Sequence, residues 1–213
     1  MTKTIRLLVE GPDDQHFLEA LLEKRLSKHY EQFDIHPCQG KTSLLGSLSV
    51  EIKGSYRGLG VILDGDADPH ATWQGVRDRL ASASGERMQK QLQDQGTIWT
   101  LPSGLTVGVW VMPDNKSPGA LESLLIGLLS QGDARLETIR ACVEVADIKA
   151  HRRDKAILRA WLACRNEPVV YLSQAARNGT LPVTSKRLDD FGNWCQRMVD
   201  ASLPQLPSNS HTS

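Results

Sequence analysis

The chain has 213 residues, 25 Lys and Arg against 25 Asp and Glu, with 40% hydrophobic and 23% charged side chains. Such a composition suits a globular domain with one continuous core, and zero net charge confines any nucleic-acid-binding surface to a local patch. No apolar run approaches the roughly 20 residues that a membrane-spanning helix needs, so no membrane partner is expected.

The start, Met1 to Arg6, leads directly into a strand-like run without the apolar core of a signal peptide, which predicts a cytoplasmic protein. Cys38, Cys142, Cys164 and Cys195 form no Cys-x-x-Cys pair, which argues against zinc and predicts reduced thiols buried in packing.

Residues 4–9 are short, branched and closed by Glu10-Gly11-Pro12, as in a buried strand. Phe17, Leu18, Leu21, Leu22 and Leu26 recur at helical spacing and predict a helix over 13–28. A weaker strand is expected over 33–37, a helix over 42–52 and a strong strand from Gly58 to Leu63, ending at Asp64. A helix around Trp73 to Leu80 follows, then a Gln-rich stretch over 86–95 compatible with an exposed helix or a loop. Residues 98–101 and 106–112 flank Pro102-Ser103-Gly104, a turn between antiparallel strands.

Ser117-Pro118 has the form of an N-cap and first-turn proline, opening a helix with Leu121, Leu124, Leu125, Leu128 and Leu129 on its apolar stripe. Helices are expected over 136–145, 153–164 and 188–199. Strand followed by helix, repeated, predicts an α/β fold with a mainly parallel sheet flanked by helices. The expected organisation is an α/β core over 1–130, a helical part over 131–202 packed on it, and a disordered Pro/Ser-rich tail over 203–213.

Three strand-like runs end in acids: Val9-Glu10, Leu63-Asp64-Gly65-Asp66 and Met112-Pro113-Asp114. In a parallel sheet these ends share one edge, where open α/β folds bind ligands. Asp14, one helical turn after Glu10, and Glu122, early in the next helix after Asp114, can face the same edge. Two carboxylates about 5 Å apart repel by roughly 3 kcal/mol at an effective dielectric of 20, so protonation or a cation must relieve the cluster. Hard oxygen donors of this kind suit Mg²⁺ or Mn²⁺ and phosphodiester cleavage. Singly, each acid has a plainer reading: Asp13, Asp64 and Asp114 as helix caps, Asp68 as a turn residue, Glu122 as a solvated helix position.

These residues resemble the Toprim domain shared by DNA primases, topoisomerases and overcoming-lysogenization-defect (OLD-type) nucleases. The likeness rests on Glu10-Gly11 closing the first strand, Asp14 beyond it, and Asp64-Gly65-Asp66 closing a later one. Leu121-Glu122, Gly40-Lys41 and Lys155-Ala156 are similar, more loosely, to positions of the OLD-type branch. Pro113-Asp114-Asn115 before Leu121-Glu122 is similar to a small, uncharacterised bacterial Toprim-like family. The resemblance, over about residues 4–160, implies a Toprim-like fold and a Mg²⁺- or Mn²⁺-dependent nuclease, with a role as a phage-defence effector as a further expectation. It implies Glu10 as general acid/base or metal ligand, Asp14, Asp64, Asp66, Asp114 and Glu122 as metal ligands, and Lys155 steadying phosphate charge. A separate ATPase partner is implied too, since the chain has no ATPase of its own, and a homodimer is a further expectation. No partner domain for a topoisomerase tyrosine is present, and Tyr30, Tyr56 and Tyr171 are read as packing residues.

Lys149, His151, Arg152, Arg153, Lys155 and Arg159 form a local positive run. Arg152, Arg153, Lys155 and Arg159, with Lys41, are the candidate phosphate contacts, against the plainer reading of a solvated helix face. Trp161 is expected in the core. Three functions compete: a metal-dependent nuclease; a non-catalytic module binding nucleic acid or a partner ATPase; and a phosphatase of the haloacid dehalogenase type, suggested by Asp64-Gly65-Asp66. The last is disfavoured because that pair normally closes the first strand.

Overall fold

The computed structural model describes residues 4–129 and 132–203. Strands β1 (Ile5–Val9), β2 (Phe33–Pro37), β3 (Gly58–Asp64), β4 (Thr97–Thr100) and β5 (Thr106–Met112) form one sheet in the order β2-β1-β3-β5-β4. The first four in that order are parallel, and β4 runs antiparallel to β5. The fold is therefore α/β with a mainly parallel sheet, flanked by α1 (Pro12–Arg25), α2 (Lys41–Glu51), α3 (Pro69–Ser84), α4 (Leu121–Leu128), α5 (Ala134–Val145), α6 (Ala150–Ala163), α7 (Leu172–Arg177) and α8 (Asp189–Ser202).

Side-chain alternation divides the core between the two faces of the sheet. Leu8, Val61, Leu63, Val107, Val109 and Val111 pack with α2 and α3. Ile5, Leu7, Val9, Ile62, Trp110 and Met112 face the opposite way, against α1 and the helices from α4 to α8. That second cluster runs from Ile5 to Val199, so the helical C-terminal part shares its core with the sheet. Gly60 and Gly108 let α8 lie close to the strands: a Cβ at either would run into Leu7 or Met198 and meet Trp194.

Several expectations need correction. The helix read from Ser117-Pro118 starts only at Leu121, with Ala120 as N-cap. The Asp114 carboxylate takes the N–H groups of Lys116 (3.0 Å) and Ser117 (2.7 Å), and an Asp66–Gly119 backbone bridge keeps the next residues out of the helix. Asp68, read as a turn residue, is the N-cap of α3, accepting from His70 N and Ala71 N with Pro69 in the first turn. Short α7 carries no readable periodicity. Of the two readings of 86–95, an exposed helix or a loop, the structure shows the loop. Cys38 and Cys195 are buried as expected, but Cys142 and Cys164 are exposed, and so is Tyr171. Among the described residues no helix is long and apolar enough to cross a membrane. The tail expected to be disordered lies, from residue 204 onward, outside the described residues.

Candidate functional site

The chain leaves β1 through α1 to β2 on one side, then returns through α2 to β3 on the other side of β1. Loops after β1 and β3 thus diverge, which opens the crevice where doubly wound sheets bind ligands. Glu10 directly follows β1 and Asp64 is the last residue of β3. They meet across this gap: the Asp64 backbone N–H donates to Glu10 Oε1 at 2.9 Å. A cleft of about 550 Å³ here is lined by Glu10, Asp13, Asp14, Gln39, Asp64, Glu122 and Lys155, with the backbone of Gly11, Pro12 and Gly40.

Three of the cleft acids, Glu10, Asp14 and Asp64, are each held by a backbone donor. Leu121 N, the first N–H of α4, donates to Asp64 Oδ1 at 3.0 Å, which sets this carboxyl at a helix N-terminus. Gly11 N donates to Asp14 Oδ2 at 2.8 Å, so Asp14, not Asp13, closes the first turn of α1. Among the described residues, hydrogen bonds engage Oε1 of Glu10, Oδ1 of Asp64 and Oδ2 of Asp14, and the second oxygen of each accepts none.

Burial pushes the Asp64 carboxyl up to about 8, with the charges of Glu10, Asp14 and Glu122 adding to it and the Leu121 N–H opposing it. Burial likewise raises Asp14 to about 6, against the Gly11 N–H and together with Glu122, Glu10 and Asp13. Glu10 is raised by burial, while the Asp64 N–H and Lys41 pull it down and Asp66 and Glu122 push it up. These carboxyls share one electrostatic field, and each makes ionisation of the others harder.

Glu10, Asp14, Asp64 and Glu122 are thus brought together from four elements. Asp66 and Asp114 are not drawn into the cleft. Asp66 adopts a left-handed backbone (φ 51) and turns its carboxylate to Lys41 at 2.6 Å, so Asp64 and Asp66 do not face a common ligand as a pair. Asp114 is exposed and is used by its own turn, including the Ser117 hydroxyl at 2.9 Å.

The expected phosphate contacts also divide. The Lys41 ammonium donates to Asp64 O (3.0 Å), Asp66 Oδ2 (2.6 Å) and Thr72 Oγ1 (2.7 Å), which uses its three protons to tie the end of β3 to α3. Arg153 turns to Ile148 O (3.1 Å) and Glu144 (3.4 Å), away from the acids. Arg152 is exposed. Lys155 reaches the cleft, 3.5 Å from both Glu122 and Asp13, and Arg159 lies 2.7 Å from Asp13. Trp161 is in the core as expected, its indole N–H on Asp133.

Sequence reasoning missed the supports of the site. Buried Asn115 accepts from Val111 N (2.7 Å) and donates to Asp94 O (3.2 Å), fixing the turn between β5 and α4. Thr72 backs Lys41. Ser123 binds Asp154 and accepts from Ala120 N (3.0 Å), joining the first turns of α4 and α6. Asn115 had a readable signal in the Pro-Asp-Asn turn; Thr72 and Asp154 had none.

A family model described as "Protein of unknown function (DUF3226)" matches residues 4–200. The chain belongs to the DUF3226 family. The match runs from β1 nearly to the end of α8, so the helical C-terminal part belongs to the DUF3226 unit together with the sheet. No curated protein and no solved structure matches this DUF3226 chain.

The DUF3226 site offers only oxygen donors, a set suited to a hard divalent cation such as Mg²⁺ or Mn²⁺. Among the described residues, no three acidic, His or Cys side chains already form a cation cage. The donor chemistry and the free second oxygens fit such an ion, while the side chains must draw inward to coordinate it.

Proposed function

We propose that this protein is a Mg²⁺- or Mn²⁺-dependent nuclease that hydrolyses phosphodiesters of DNA or RNA in the cleft between β1 and β3. The observation that carries the reading is the meeting of Glu10 and Asp64 at the topological switch point, within one field of mutually opposed carboxyls. Glu10, Asp14 and Asp64, gathered where their ionisation is resisted, are better explained by a cation they hold than by packing, because apolar side chains would fill that space at no electrostatic cost. The resemblance of Glu10-Gly11 and Asp64-Gly65-Asp66 to the Toprim pattern supports the same reading, as does Lys155 at the rim.

Asp64 and Glu10 would hold the cation, with Asp14 and Glu122 close enough to join them. When bound, the cation would polarise the phosphate and favour ionisation of the attacking water. Glu10, whose second oxygen accepts no hydrogen bond among the described residues, would accept a proton from that water and return it to the leaving oxygen. Lys155 would neutralise charge building on the phosphate. Lys41 and Thr72 hold the Asp64 backbone, and Asp14 orders the first turn of α1. A cytoplasmic setting, a phage-defence role, a homodimer and a separate ATPase partner belong to this proposal as well.

A second reading is a non-catalytic module that binds nucleic acid or a partner ATPase. It is favoured by zero net charge and by Lys155 and Arg159 being paired with acids of the chain itself. Incubation with plasmid, single-stranded DNA and RNA in millimolar Mg²⁺ or Mn²⁺ separates the two. The nuclease reading expects cleavage that chelator stops and that Glu10→Gln slows by about a hundredfold to ten-thousandfold. Intact substrates under every condition would leave the binding module.

A further inference from the structure

Asp13 lines the cleft beside Asp14 but does not cap α1, and unlike Glu10, Asp14 and Asp64 its carboxylate is engaged by cationic side chains. A single oxygen, Oδ2, lies 2.7 Å from Arg159 Nη2 and 3.5 Å from Lys155 Nζ. Lys155 and Arg159 stand four residues apart on α6, so both project from one helical face. Arg152, three residues before Lys155, continues the same face away from the cleft, whereas Arg153 is turned to Glu144.

One anionic oxygen between a guanidinium and an ammonium is the arrangement a phosphate oxygen makes with such a pair. Asp13, Lys155 and Arg159 are each about half exposed (side-chain accessibility 41%, 51% and 50%). Ion pairs this wet contribute only about 0–1 kcal/mol, so a stronger anion can displace the carboxylate. We infer that Lys155 and Arg159 together form a seat for a nucleic-acid phosphate at the rim of the cleft, and that Asp13 occupies this seat as an internal stand-in until the strand arrives. The inference rests on the nuclease reading for the identity of its ligand, but it concerns binding, not cleavage.

Its consequence runs against the usual effect of altering a site residue: removing the Asp13 charge should improve binding. The test is fluorescence anisotropy with 5′-labelled 20-nucleotide single strands of DNA and of RNA, in chelator, across a series of salt concentrations. Asp13→Asn should tighten binding about fivefold and steepen the salt dependence, because both cations become available to phosphate. Arg159→Gln should weaken binding by a similar factor and flatten that dependence. Asp78→Asn is the control for charge alone: it frees Arg77 in the same way, but on α3. It should leave affinity unchanged.

Equal tightening by Asp13→Asn and Asp78→Asn would overturn the seat, and so would unchanged binding in both Asp13→Asn and Arg159→Gln. Failure of either probe to bind any form would overturn it as well. Tightening by Asp13→Asn alone, in a protein that cuts neither probe once Mg²⁺ is added, would keep the seat and remove the nuclease.

Discussion

At the scale of single residues, the most informative side chain is Asp64. It ends a strand, accepts from the first N–H of α4, and is raised from an ordinary 3.8 to about 8. Asp14, raised to about 6, behaves in the same sense. Between about pH 4 and pH 8 the folded chain therefore keeps protons that the unfolded chain has released. Unfolding free energy must then fall as pH rises across this window, with the Asp14 share lost earlier and the Asp64 share later.

Urea titrations of the metal-free protein should show that decline, and Asp64→Asn should reduce its slope. A millimolar divalent cation should oppose it, since ligands bind metal in their deprotonated form. A slope equal in wild type and Asp64→Asn would mean that Asp64 ionises without resistance. The pairing of Glu10 with Asp64 was legible from the sequence, because both close apolar strands. The roles of Asp66 and Asp114 were not. Each lies past the end of its strand, where a turn decides direction: Asp66 is swung to Lys41 by a left-handed backbone, and Asp114 caps its own loop.

At the scale of elements, the strands were readable because β1, β3 and β5 are buried and nearly continuous in apolar residues. The start of α4 was not: Ser117-Pro118 reads as a helix start and is not one, whereas Asp68-Pro69, of the same form, reads as a turn and opens α3. The difference is tertiary. The Asp66–Gly119 bridge and the Asp114 side chain hold residues 114–119 in an irregular loop, and this delay delivers Leu121 N to Asp64.

Asn115 is the pin of that loop, buried with its backbone in the left-handed region (φ 64). Asn115→Ala removes its bonds to Val111 N and Asp94 O from a site that water does not reach. Chemical denaturation should show a loss of about 2–4 kcal/mol, from unpaired backbone groups together with strain at positive φ. A loss below about 0.5 kcal/mol would show that the loop holds its path without this side chain.

At the scale of the whole molecule, the strand order determines the chemistry available. Because β1 and β3 are neighbours whose connections leave in opposite directions, acids 54 residues apart in sequence face each other without any local motif to unite them. The core joining Ile5 to Val199 then holds α6 against α4, which brings Lys155 to Glu122 from the far part of the chain. The sheet and the acids Glu10, Asp14, Asp64 and Glu122 at its rim were readable from strand ends and helical spacing. The docking of α6 was not, since it depends on contacts such as Ser123 with Asp154 that leave no pattern along the chain.

The central claim is that Glu10 and Asp64 jointly hold a divalent cation, and calorimetric titration of the chelator-treated protein with Mn²⁺ at pH 8 tests it most directly. The account predicts saturable binding by the wild type that weakens at least tenfold in both Glu10→Gln and Asp64→Asn, and weakens as the pH is lowered to 6. Binding of equal strength in all three proteins, or none at millimolar Mn²⁺ in the folded wild type, would contradict it.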